Sequence, residues 1–135
     1  MNAEQVLIDT SAWIEYFRRA QGPVTQEVTL LLSGSRAVLT GVVVAELLQG
    51  ARDAREVEAI RKLRDVVPSL GDSAATWEEA GLLARELRRK GQEIALIDCY
   101  LAVLAQTHRC SVLSLDRHFL VIARHRPLEL LSLGK

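Results

Sequence analysis

Four carboxylates stand where this chain can do chemistry. Asp9 follows the apolar run Val6-Leu7-Ile8, and Asp116 follows Val112-Leu113-Ser114-Leu115, so each ends a stretch of β-formers. Asp98 opens a nearly all-apolar helical stretch, and Glu46 interrupts the apolar run from Val42 to Leu48. If the two strands belong to one parallel sheet, both aspartates reach the same edge, where open α/β sheets form their crevices. Two carboxylates ~5 Å apart repel by roughly 3 kcal/mol at an effective dielectric of ~20. A cluster of three or four therefore calls for a cation. Oxygen donors with no Cys or His among them suit Mg²⁺ or Mn²⁺ rather than Zn²⁺. A cation held by few carboxylates keeps open positions for water and phosphate oxygens, which is the arrangement of metal-assisted phosphodiester hydrolysis. His108, His118 and His125 show no metal-type spacing with one another and read as surface helix positions.

Each acid also has a local alternative. Asp9, Thr10 or Ser11 can cap the helix that follows, and Asp98 and Asp116 are good caps in their turn. Glu46 can share a solvated stripe with Gln49. With all four acids spent in this way the chain is a non-catalytic α/β binding module. A phosphatase of the haloacid-dehalogenase type also carries an Asp after its first strand, but usually a second Asp two residues later. Ser11 occupies that place here.

The elements that position these residues alternate along the chain. Strands are predicted at Val6–Ile8, Ala37–Thr40, Ser111–Leu115 and Leu128–Leu131, with a short edge strand at Val66-Val67-Pro68, since Pro is tolerated at edges. A helix is expected over Ala12–Phe17, and a second from about Val24 to Leu32. Thr40 is expected to cap a short helix ending before Gly50. Asp53 with Glu56 resembles a capping box ahead of Val57, Ile60, Leu63 and Val67 at helical spacing. Asp72-Ser73 opens the longest helix, which stops at Gly91 with its acids early and its arginines late. The stretch from Ile97 to about His108 has no solvated face and should be central. Strands separated by helices imply a parallel sheet with helices on both sides.

Composition narrows the class. The 135 residues suit one domain, 1–135, and 49% hydrophobic content suits a packed core rather than disorder. Lys+Arg 17 balance Asp+Glu 17, so no global field attracts nucleic acid and any such binding depends on a local basic face. Arg18, Arg19, Arg52, Arg85, Arg88 and Arg89 are the candidates for phosphate contacts. Cys99 and Cys110 lie too far apart along a helix to be bridged, and free thiols suit a reducing cytosol. Met1-Asn2-Ala3-Glu4 lacks the pattern of a signal peptide, and no apolar run approaches a membrane span, so a soluble cytoplasmic protein with no membrane partner is expected. Trp13, Tyr16 and Phe17 place three of the six aromatics on one short helix; Trp13 with Phe17 at i, i+4 suits core packing, and exposed aromatic area beside a cleft would serve a peptide partner.

Taken in order, Val6-Leu7-Ile8-Asp9-Thr10-Ser11-Ala12-Trp13-Ile14, Ala45-Glu46-Leu47-Leu48-Gln49-Gly50, Gly91 with Ile94 and Asp98, and Ser114-Leu115-Asp116-Arg117-His118-Phe119 resemble the PIN-domain ribonucleases. In particular they resemble the VapC toxins of bacterial and archaeal toxin–antitoxin pairs. The resemblance implies a PIN-like α/β fold with a five-stranded parallel sheet between helices, and a Mg²⁺- or Mn²⁺-dependent endoribonuclease site. Asp9 and Asp98 would be the main metal ligands, joined by Asp116, with Glu46 and Asp116 completing a catalytic acidic pocket. Ser114 lies where the family usually has Thr or Ser, so its hydroxyl would position water or metal. Ser11 also matches a recurring position, though capping explains it equally well. The implied partners are RNA as substrate, a small cognate antitoxin lying along a groove, and a second toxin copy in a homodimer.

Overall fold

The computed structural model describes residues 4–133. The reading of the first residues as lacking a signal peptide falls largely on Met1, Asn2 and Ala3, outside the described residues. The chain begins with strand β1 (Val6–Ile8) and helices α1 (Thr10–Arg18) and α2 (Pro23–Ser33). Strand β2 (Ala37–Val38) and helices α3 (Gly41–Gln49), α4 (Ala54–Val66), α5 (Ala74–Arg89) and α6 (Leu96–Thr107) follow. Strand β3 (Ser111–Leu113) and helix α7 (His118–Ala123) come last.

The sheet is parallel, with β1 in the centre and order β2-β1-β3. Val6 pairs with Ala37 on one side and with Ser111 on the other. Alternate strand residues point to opposite faces. Val6, Leu7 and Ile8 are all fully buried, so helices cover both faces of the sheet.

Among the described residues the sheet has three strands rather than five, and both missing strands are reduced to single bridges. Leu39 meets Ser69 at one edge, and Val112 meets Leu130 at the other. At the first edge α4 runs on through Val66, so the expected strand at Val66-Val67-Pro68 starts too early. Pro68 has no N–H to give a ladder. It only accepts, from Leu39 N at 2.8 Å, and Leu70 N then donates to Leu39 O at 2.8 Å. At the second edge Val112 N donates to Glu129 O and Leu131 N to Val112 O. Beyond Leu113 the chain leaves the sheet, so Leu128–Leu131 has nothing further to pair with.

Local chemistry sets the helix starts. Thr40 is buried and its hydroxyl accepts from Val43 N at 3.1 Å, capping α3 as its sequence position implies. Asp53 accepts from Glu56 N at 2.9 Å. Glu56 closes the turn on Arg52 N at 3.0 Å, one residue ahead of the box position. Ser73 caps α5 in a box with Thr76. Asp72 instead accepts from Trp77 Nε1 at 3.1 Å and from Tyr100 Oη at 2.6 Å, beneath two rings stacked 4.0 Å apart. Helix α6 is central: every residue from Cys99 to Ala105 is buried. Among the described residues no helix is long and apolar enough to cross a membrane.

Helix α1 divides its aromatics between two environments. Trp13 is fully buried, with no hydrogen-bond partner for Nε1 among the described residues. Tyr16 and Phe17 are half-buried and line an apolar groove with Leu32, Leu63, Val66 and Pro68. Of the three rings considered for a peptide partner, Trp13 is spent on core packing, and Tyr16 and Phe17 border the groove. The three rings share one face of α1, so what separates them is their place along the helix: Trp13 lies in the buried first turn after β1, and Tyr16 and Phe17 lie one turn further on.

Candidate active site

Parallel pairing brings the ends of β1 and β3 together, since Asp9 N donates to Leu113 O at 2.9 Å. Asp9 is only 6% exposed and sits at the first position before α1. Its side chain makes no capping bond. Its Oδ2 instead accepts from Ser11 Oγ at 2.9 Å and from Ser114 Oγ at 2.7 Å. The two hydroxyls lie 3.3 Å apart, and each also accepts a backbone donor, Leu115 N for Ser11 and Asp116 N for Ser114. Both serines named from the sequence thus hold Asp9 and tie it to the turn after β3. Ser114→Ala removes the donor to a buried carboxylate and is expected to destabilise the protein by about 1.5–3 kcal/mol in urea unfolding. Retention of wild-type stability would mean that Ser114 does not hold Asp9.

Asp98 lies in the first turn of α6, but the N-cap is Ala95 and Asp98 makes no cap. Its Oδ2 faces His118 Nδ1 at 2.9 Å, and the same nitrogen lies 3.3 Å from Asp116 Oδ1. Asp116 does serve its own turn as well, accepting from His118 N at 2.9 Å. Ligand atoms of Asp98, Asp116 and His118 all lie within 4.8 Å of one another. Burial pushes the Asp98 carboxyl above its usual range; the His118 hydrogen bond opposes this, and the charges of Asp116 and Asp9 add to it. The hydrogen bond to Asp98 raises His118 in turn. A cation favours the ionised carboxyl that burial, with the charges of Asp116 and Asp9, disfavours, so the donor set fits a divalent ion.

The four acids do not form one knot. Asp98 and Asp116 are brought together with His118, while Asp9 stands outside that trio and acts on Asp98 through its charge. Glu46 is anchored by Thr10 Oγ1, whose hydrogen bond to Oε1 is 2.7 Å long, which places it beside the residue that follows Asp9. His118 was set aside as a surface position because its spacing matches neither other histidine. Its partner is Asp98, 20 residues away, and only the packing of α7 on α6 brings the two together. The one local signal was His118 standing two residues after Asp116.

Three of the six arginines suggested for phosphate contact are committed to carboxylates. Arg18 and Arg52 both pair with Glu56, and Arg19 pairs with Glu15. Arg85, Arg88 and Arg89 are exposed on α5 and have no ion pair among the described residues.

Comparison with known proteins matches this arrangement to a family. Ribonuclease VapC11 of Mycobacterium tuberculosis and a VapC ribonuclease of Mycobacterium bovis are each 37% identical over 131 residues, covering 94% of this chain and 98% of the relative. A solved structure of DNA-bound VapBC from Salmonella typhimurium superposes with a TM-score of 0.78 at 19% identity, covering 96% of this chain and 98% of that one. The sarcin-ricin loop cleaving toxin VapC20 of Mycobacterium tuberculosis superposes at 0.65 and 18%, covering 87% and 94%. The PIN domain family model spans residues 6–125, from the first strand through the helix that carries His118, and the chain belongs to the PIN-domain family.

Proposed function

We propose that this chain is a metal-dependent endoribonuclease that hydrolyses RNA phosphodiesters, acting as the toxin of a toxin–antitoxin pair. The observation that carries this reading is the meeting of Asp98 and Asp116 beside the buried Asp9, in a chain 37% identical to proteins named ribonucleases. On this reading the chain would act as a single PIN-like domain over 1–135, in the cytoplasm and as a homodimer, as the family resemblance implies.

Asp9, Asp98 and Asp116 would hold the cation, Mg²⁺ with Mn²⁺ as the alternative. When bound, it supplies a polarised water and neutralises charge on the scissile phosphate. The protein's own residues do the positioning. Ser11 and Ser114 both engage Asp9 Oδ2, which fixes the carboxylate plane and, among the described residues, leaves Oδ1 without a side-chain donor. Thr10 holds Glu46 at the rim of the acidic pocket in the same way. Asp116 enters from the turn before α7, its orientation set by His118 N. The antitoxin would be a short peptide that seats apolar side chains against Tyr16 and Phe17 in the groove beside α4.

Purified protein is expected to cleave RNA in Mg²⁺ or Mn²⁺ and to stop on addition of EDTA. Cleavage that survives EDTA would remove the metal mechanism. Turnover of a small phosphate ester with RNA left intact would point to a phosphatase instead.

A further inference from the structure

At one point of the surface an imidazole nitrogen joins two carboxylates that the proposed cation site already uses. His118 Nδ1 lies 2.9 Å from Asp98 Oδ2 and 3.3 Å from Asp116 Oδ1. Ligands side by side on one octahedral ion, each ~2.1 Å from it, stand about 3.0 Å apart. Both separations are therefore those of neighbouring ligands on one centre. Asp116 Oδ1 grips His118 N at 2.9 Å, so the residue is anchored by its backbone at the start of α7 while the ring remains 45% exposed. Neither other histidine reaches the acids: His108 Nε2 faces Gly71 O at 2.8 Å, and His125 Nδ1 faces Val121 O at 3.0 Å.

We infer that His118 is a nitrogen ligand of the cation site and biases it toward first-row transition ions, such as Mn²⁺ and Co²⁺, over Mg²⁺. The inference rests on the cation site proposed above and concerns which ion that site selects. Mg²⁺ dehydrates reluctantly and takes oxygen donors, whereas imidazole raises affinity along the series from Mn²⁺ through Co²⁺ to Ni²⁺. Facing two carboxylate oxygens, Nδ1 carries a proton. To offer Nδ1 as a ligand the neutral ring would carry its proton on Nε2 instead, and an imidazolium ring would release one proton to solvent.

The test uses the full chain as wild type, His118→Ala, His118→Gln and Asp98→Asn. Circular dichroism checks that each folds. Electron spin-echo envelope modulation of the Mn²⁺-loaded proteins reads nitrogen at the ion, and calorimetry reads Mn²⁺, Co²⁺ and Mg²⁺ affinities. Nitrogen modulation is expected in wild type and absent from both His118 variants. Co²⁺ affinity should fall about 10–100-fold in His118→Ala, with Mg²⁺ affinity changing less than about threefold. If Asp98→Asn loses the ion while His118→Ala keeps both the modulation and the affinities, the inference on His118 fails and the carboxylate site stands. Tighter binding of every cation by His118→Ala would show that the ring excludes the ion, and would overturn the inference equally. A wild-type protein that binds none of the three ions removes the cation site, and the inference with it.

Discussion

Asp98→Asn is expected to lower RNA cleavage by about 10²-fold or more while leaving the metal-free protein as stable as wild type or more so. The stability sign comes from the surroundings of Asp98. Its carboxyl is raised by burial and by the charges of Asp116 and Asp9, and it caps nothing. The amide keeps the shape, and its oxygen can still accept from His118. A carboxyl raised in the folded state contributes stability at pH values below its unfolded pKa, and that contribution is lost as pH rises through the folded value. Without metal, the advantage of Asp98→Asn should therefore widen as pH rises through the acid range. Mn²⁺ at a hundredfold excess over Kd should stabilise wild type by about 2.7 kcal/mol, on the order of 10 °C in melting temperature. The variant should gain much less. A loss of about 1 kcal/mol or more in the metal-free variant would assign Asp98 to holding the fold and end its role as a ligand.

The second large effect separates neighbours on one helix. Trp13→Ala empties a fully buried site and should cost about 3–5 kcal/mol, a large part of the 5–15 kcal/mol typical of a domain. Tyr16→Ala trims a half-buried ring at the edge of the groove and should cost under about 1.5 kcal/mol. It should nonetheless weaken the peptide partner by about 2 kcal/mol or more, roughly thirtyfold in Kd. Urea titration reads the first effect, and co-expression with the neighbouring small open reading frame followed by affinity measurement reads the second. A Trp13→Ala protein within 1 kcal/mol of wild type would contradict its place in the core. Undiminished partner binding by Tyr16→Ala would take the partner off this groove.

What could be read from the sequence was local. Thr40, Asp53 and Ser73 announce their helices because a cap is a contact over three residues, and α6 announces its centrality because it has no polar face. Asp9 and Asp116 were placed at one edge because strand ends in a parallel sheet must coincide there. The failures were long-range. Nothing near His118 signals Asp98, and nothing near Trp13 separates its buried ring from those of Tyr16 and Phe17. Counting five strands went wrong for a different reason: a single bridge and a ladder have the same apolar sequence, and Pro68 at one edge and the departure of the chain after Leu113 at the other left only bridges.

The central place of β1 also governs when the proposed nuclease can come into being. Ser114 grips Asp9 across 105 residues of chain, and both flanks of β1 pair with segments made later. Contacts so distant in sequence form late and slowly, because loop closure precedes any return from them. At translation speeds of about 5–20 residues per second, the interval between the emergence of Asp9 and that of its serine partner is roughly 5–20 s. During that time the first strand has neither outer neighbour β3 nor the hydroxyl that orients its carboxylate. If the chain is the proposed toxin, its acidic site would assemble only once β3 and Asp116 are made, and a partner made alongside it would have those seconds in which to arrive.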